Sequence, residues 1–131
     1  MKTTQRYFFK KQEKLKSRKA ISSLFAEGQQ FTIFPIKVYW QSATTENVLQ
    51  VGISVGSKHF KKAVDRNRIK RLIREAYRLQ KNQLNEHLIH ANKNLTFFVI
   101  YIGKDLPDYK EIYKKTGMVL NKLIALNHEN H

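Results

Sequence analysis

The chain has 131 residues and a mass of 15.5 kDa, with 25 Lys and Arg against 10 Asp and Glu, a formal net charge of +15 and a pI near 10.1. That length fits one compact domain with its own core, and the charge far exceeds what solubility needs, so a polyanion is the expected partner. The lack of cysteine excludes disulfides, thiolate catalysis and cysteine-based zinc sites; no run approaches the roughly 18 apolar residues of a spanning helix, so a soluble cytoplasmic protein with no membrane partner is expected.

The first fourteen residues, MKTTQRYFFKKQEK, are mostly polar and basic and are predicted to form a flexible arm, with Tyr7, Phe8 and Phe9 as a possible anchor. From Ser17, SRKAISSLFAEG offers a serine cap, apolar Ile21, Leu24 and Phe25, and Gly28 where a left-handed residue would end a short amphipathic helix. FTIFPIKVYWQ then alternates, with Ile36, Val38 and Trp40 on one face and Lys37, Tyr39 and Gln41 on the other; Pro35 marks a strand start or an edge. After the turn-like SATTEN, VLQVGISVG sends Leu49, Val51, Ile53 and Val55 one way and Gln50, Gly52 and Ser54 the other. Two strands in succession predict an antiparallel pair with one open face.

Residues 60–78, FKKAVDRNRIKRLIREAYR, combine a basic front with isoleucines and a leucine at helical spacing. A weaker helical stretch follows around Leu84 to Ile89, and LTFFVIYIG at 95–103 is apolar enough for a strand buried on both sides. Pro107 and Asp108 start a last helix, with Glu111 completing a capping box and Ile112, Thr116, Leu120, Leu123 and Ile124 as its inner stripe; Gly117 inside it costs about 1 kcal/mol relative to Ala. The order is helix, strand, strand, helix, strand, helix: a small single-domain α+β sandwich spanning 1–131.

At about 100° per residue, Arg66, Lys70, Arg74, Asn67, Arg78 and Arg71 share one arc of the 60–78 helix, while Leu72, Ala76, Ile69 and Ile73 share another. Like charges at i, i+4 cost roughly 0.2–0.5 kcal/mol per pair in an isolated helix, and Glu75, spaced to pair with Arg71, relieves only part of this. A bland solvated face needs no ridge of one sign, and arginine, which outnumbers lysine here, binds two phosphate oxygens at once. A helix-turn-helix reader of DNA would need another helix just before this one, where a strand is predicted. An open sheet face bearing Lys37 and Tyr39 beside Gln50 and Ser54 better suits unpaired nucleotides, so RNA is favoured over DNA; Tyr39 as an ordinary strand aromatic is the competing reading.

The stretch FKKAVDRNRIKRLIRE resembles the arginine-rich signature helix of the bacterial ribonuclease P protein component, at Phe60, Ala63, Arg66, Asn67, Ile69, Lys70, Arg71, Ile73 and Arg74. The similarity extends through KLKSRKAISSLFAEG and VGISVGSK, covering roughly residues 14–103. It implies helix one against a four-stranded sheet, with a left-handed strand-helix-strand crossover, a fold shared with a domain of a small-subunit ribosomal protein. It also implies a partnership with a catalytic RNA that removes the 5′ leader from precursor tRNA, the RNA doing the chemistry with Mg2+. Arg66, Arg68 and Arg71 resemble the residues that contact that RNA. Asn67, Lys70 and Arg74, with Phe25 and Tyr39, resemble those that face the leader; Lys37 joins them from the sheet reading. Ile21 stands where the family often has an aromatic, and His59 where it often has a lysine.

No catalytic side chain is assigned: the ten acids are scattered, with no pair on an evident common face. His87 and His90, at i, i+3, read as exposed polar residues in preference to metal ligands, and no metal site is assigned. Three alternatives stay open: a non-enzymatic RNA-binding protein of ribosomal or assembly type, a DNA-binding regulator, and a free-standing nuclease.

Overall fold

The computed structural model describes residues 14–15, 17–42 and 48–128. Residues 1–13 of the predicted arm, with the Tyr7–Phe9 cluster, and 43–47 of the SATTEN turn lie outside the described residues. Seven elements follow in chain order: α1 (Arg18–Glu27), β1 (Gln29–Ile33), β2 (Ile36–Ser42), β3 (Leu49–Val55), α2 (Ala63–Ala91), β4 (Leu95–Tyr101) and α3 (Tyr109–His128). They make a four-stranded sheet of order β1-β2-β4-β3, with α1 on one face and α2 and α3 on the other.

The predicted antiparallel pairing of residues 36–41 with 49–55 does not occur. β4 lies between them, antiparallel to β2 and parallel to β3, with Tyr39 and Gly52 both opposite Phe98. The reason is hydrophobic: a strand with neighbours on both edges is the least solvated position, and LTFFVIY is the most continuously apolar of the strands. A parallel β3–β4 pair then needs a long crossover, which α2 supplies. The additional strand β1 folds back on β2 and gives little warning in sequence, because Gln29, Gln30 and Thr32 are exposed and only Phe31 and Ile33 lean on the core.

One face of the sheet carries the core. Ile36, Val38 and Trp40 of β2, Leu49, Val51 and Val55 of β3, and Leu95, Phe97, Val99 and Tyr101 of β4 meet Ile69, Ile73, Ala76, Tyr77, Leu84 and Leu88 of α2, with Ile112, Val119, Leu120 and Leu123 of α3. α2 is one continuous helix of 29 residues, so the separate stretch expected near Leu84 is its last third. Asn92, in the left-handed region at φ 57°, closes it: the Asn92 and Lys93 amides donate to the Ile89 and Leu88 carbonyls at 3.1 and 2.9 Å.

α3 starts as predicted, the Asp108 carboxylate accepting from the Glu111 amide at 2.8 Å, and its expected inner stripe is buried apart from the half-buried Ile124. It runs beside α2 in the same sense. Gln80 Nε2 of α2 donates to the carbonyls of Ala76 and of Tyr113 on α3, at 3.1 and 3.0 Å. A Cβ at Gly117 would lie 2.6 Å from Gln80 Oε1, so a side chain there would have to displace the end of the Gln80 side chain that bridges the two helices.

α1 begins as predicted, Ser17 Oγ accepting from the Ala20 amide at 3.2 Å, but Gly28 ends it differently. Its backbone is extended, at φ −73° and ψ 163°, where any residue could sit. Space is what excludes a side chain there: a Cβ would overlap the Leu24 carbonyl oxygen and approach that of Trp40 to 3.1 Å. Lys14, at the end of the predicted arm, forms a bridge to Val51, and Leu15 N donates to Val51 O at 3.0 Å, so the outer edge of β3 is occupied there.

Candidate nucleic-acid interface

The first half of α2 is placed by what it buries. Tyr77 packs edge-on against Phe97 with ring centroids 6.1 Å apart, and this turns the helix so that Tyr77 and Lys81 join Ile69, Ile73 and Ala76 inside. The buried arc is therefore rotated from the predicted one. Leu72 is only half-buried, while Arg66 and Lys70, expected on the open front, stand half-buried at its border.

Arg66 is not free to reach outward. Its Nη1 donates to the carbonyls of Phe60 and Lys61 at 2.8 and 2.9 Å, pinning the approach to α2, while the Phe60 ring packs against Tyr101 at 6.0 Å. Asn67, Arg68, Arg71 and Arg74 are exposed. Asn67, Arg68 and Arg71 line one shallow groove with Val64, Asp65 and Leu72, so Asn67 sits with the two arginines from which the resemblance separated it. Glu75 does not pair with Arg71. It makes a two-point pair with Arg78, at 2.6 and 3.1 Å, and the hydrogen bond from Arg78 holds its carboxyl below the usual carboxylate range. Among the described residues, Arg68, Lys70, Arg71 and Arg74 have no carboxylate partner.

The sheet face away from α2 is partly covered, not open as predicted. α1 lies across β2 and β4 and leaves a cleft in which Phe25, 43% exposed, meets Tyr39 at 4.8 Å and Phe98 at 5.3 Å, both edge-on. The Lys37 ammonium sits 5.2 Å from the Tyr39 ring centre, a cation–π contact that leaves the charge available to an anion. Ile21 is half-buried on the same helix. Gln50 and Ser54 share the face, as alternation predicts. Phe98 was missed, because the apolar run at 95–103 reads as buried on both sides. In the structure Phe98 and Ile100, on the α1 side of β4, are only half-buried. The opposing Gly52 was the one available signal: a strand glycine often marks the close approach of another group.

The remaining candidates are dispersed. His59 is exposed in the turn before α2, His87 is half-buried and not exposed as expected, and His90 is exposed. Among the described residues no three of His, Asp or Glu come together as a metal-binding group, and no helix is long and apolar enough to cross a membrane.

The fold and this surface define a class: a small basic α+β protein with a mixed sheet that carries an arginine-rich helix on one face and an aromatic cleft under α1 on the other. The chain belongs to the ribonuclease P protein family, whose profile, described as Ribonuclease P, matches residues 9–124. It is 36% identical over 104 residues, 78% of this chain and 76% of the other, to the ribonuclease P protein component of Porphyromonas gingivalis strain W83. To that of Dictyoglomus thermophilum it is 38% identical over 116 residues, 85% and 93% of the two chains. The fold matches the RNase P protein of Staphylococcus aureus, with TM-score 0.69, 22% identity and coverage of 85% and 94%. The Thermotoga maritima protein matches with TM-score 0.68, 24% identity and coverage of 84% and 96%.

Proposed function

We propose that the chain is the protein subunit of ribonuclease P, holding the catalytic RNA and the 5′ leader of precursor tRNA together in the cytoplasm. The observations that carry this are the α2 cations Arg68, Lys70, Arg71 and Arg74, which have no carboxylate partner among the described residues, and, on the α1 side of the sheet, the partly exposed aromatic cleft of Phe25, Tyr39 and Phe98. Arg68 and Arg71 meet phosphates of the RNA subunit, and Arg66 positions the start of their helix. Lys70 and Arg74 with Lys37 hold leader phosphates, while Phe25 and Tyr39 stack on unpaired leader bases. Neutralising two polyanions at one place lowers their mutual repulsion and raises Mg2+ occupancy in the neighbouring RNA site, where hydrolysis takes place. The protein supplies no reacting side chain.

Reconstitution tests this. Purified protein, a bacterial ribonuclease P RNA and precursor tRNA are mixed at low magnesium, and leader removal is timed against RNA alone. Faster cleavage with the protein is expected. Equal rates would refute the assignment, and cleavage by the protein without RNA would favour a free-standing nuclease.

A further inference from the structure

The central strand brings Phe98 between Tyr39 on β2 and Gly52 on β3. Its ring leans toward β3: a Cβ at position 52 would overlap Phe98 Cδ1 and Cε1, so the ring occupies the space that any other residue at 52 would fill. Phe25 meets the ring edge-on and Phe98 stays only partly buried. Two residues away on either side of Gly52, and therefore on the same face, stand Gln50 and Ser54. Both are half-buried, and neither side chain hydrogen-bonds another described residue. An aromatic surface flanked by an amide and a hydroxyl with no partner among the described residues matches the chemistry of a nucleobase, which offers a π-face and a polar edge.

We infer that Phe98, with Gln50 and Ser54, forms a nucleobase subsite on the β3–β4 side of the cleft, and that Gly52 exists to give its ring room. This rests on the proposed leader-binding function. One unpaired leader base stacks on Phe98 with its edge toward Gln50 and Ser54, while Phe25 and Tyr39 serve a neighbouring base. The competing account, in which Phe98 merely packs under α1, predicts that any apolar side chain of similar volume will do.

The experiment uses protein assembled with ribonuclease P RNA. Affinity is measured for precursor tRNA with an intact leader, for precursors abasic at each leader position in turn, and for mature tRNA. Phe98→Leu is expected to weaken intact-precursor binding by about 5- to 100-fold, the range of one lost base stack, and to leave mature tRNA unchanged. The same variant should be indifferent to the abasic substitution at one leader position that weakens the parent protein. Phe98→Tyr should stay within about twofold of the parent, since a phenol ring stacks as well. Gly52→Ala should reproduce Phe98→Leu by displacing the ring. The subsite is refuted if Phe98→Leu binds intact precursor as the parent does, if it loses precursor and mature tRNA equally, or if every abasic position costs it as much as it costs the parent. A parent protein that does not prefer precursor over mature tRNA would instead overturn the proposed function itself.

Discussion

Arg66 and Arg71 belong to the same helix and do different work. Arg66 is bonded to two backbone carbonyls, whereas Arg71 is exposed and has no carboxylate partner among the described residues. Arg66→Ala should therefore cost about 1.5–3 kcal/mol of stability, the range for hydrogen bonds to charged groups, and Arg71→Ala less than about 0.5 kcal/mol. Urea melts of the two variants check this; equal losses would mean that the Arg66 bonds do not hold the helix entrance. Tyr101 and Tyr109 are expected to contribute to loss of stability at alkaline pH. Burial, with Glu111 and Asp105 nearby, pushes the Tyr101 phenol up, and burial, with Glu75 and Tyr113, does the same for Tyr109. A phenol whose folded pKa is raised contributes stability fully below its unfolded pKa of about 10 and loses it as pH rises through the folded value. Over that range lysines also discharge, which relieves repulsion in a cationic chain and acts in the opposite direction. A fall in unfolding free energy above about pH 10 that is reduced in Tyr101→Phe and Tyr109→Phe would assign the loss to the phenols; an unchanged alkaline limb in both variants would remove that assignment.

The elements that sequence reveals here are those whose signal is local. α2 is legible because an apolar stripe and a basic ridge repeat over several turns, and α3 because Asp108 and Glu111 mark its start. The β1 strand and the strand order are not, since an exposed polar edge strand lacks alternation and pairing is decided by which strand takes the least solvated position, with neighbours on both edges. The same limit hid Phe98: a period-two offset within a uniformly apolar run cannot say which side stays half-open until α1 is in place. Of the site, the cationic residues were legible and their grouping was not, because a rotation of α2 by part of a turn, set by Tyr77 against Phe97, decides which of them reach solvent. Gly28 is a junction of this kind, joining α1 to β1 where no Cβ fits beside the Leu24 and Trp40 carbonyls. Backbone cannot yield as a flexible side chain does, so Gly28→Ala should destabilise by about 1–3 kcal/mol and shift α1 against the sheet, weakening leader binding as well. A thermal melt within about 1 °C of the parent would show that the junction tolerates the methyl group.

At the scale of the whole molecule, the net charge of +15 raises the question of whether affinity comes from a general cloud of positive charge or from a few placed groups. The two differ in salt dependence. Every phosphate neutralised releases condensed counterions, so log affinity falls with log salt at a slope of about −0.7 per phosphate for single strands. If Arg68, Lys70, Arg71, Arg74 and Lys37 each engage one phosphate, the slope should be about −3.5. Replacing one engaged group, as in Arg71→Ala or Arg74→Ala, should lower its magnitude by a little under 1, whereas replacing an exposed α3 lysine outside the proposed contacts, such as Lys114, should leave the slope unchanged. A diffuse mechanism predicts instead that the three substitutions shift affinity and slope alike, because each removes the same unit of charge. Binding of precursor tRNA across a salt series, by parent and variants, separates the cases: equal effects from Lys114→Ala and Arg71→Ala, or a nearly flat response in the parent, would leave the ridge on α2 without its electrostatic role.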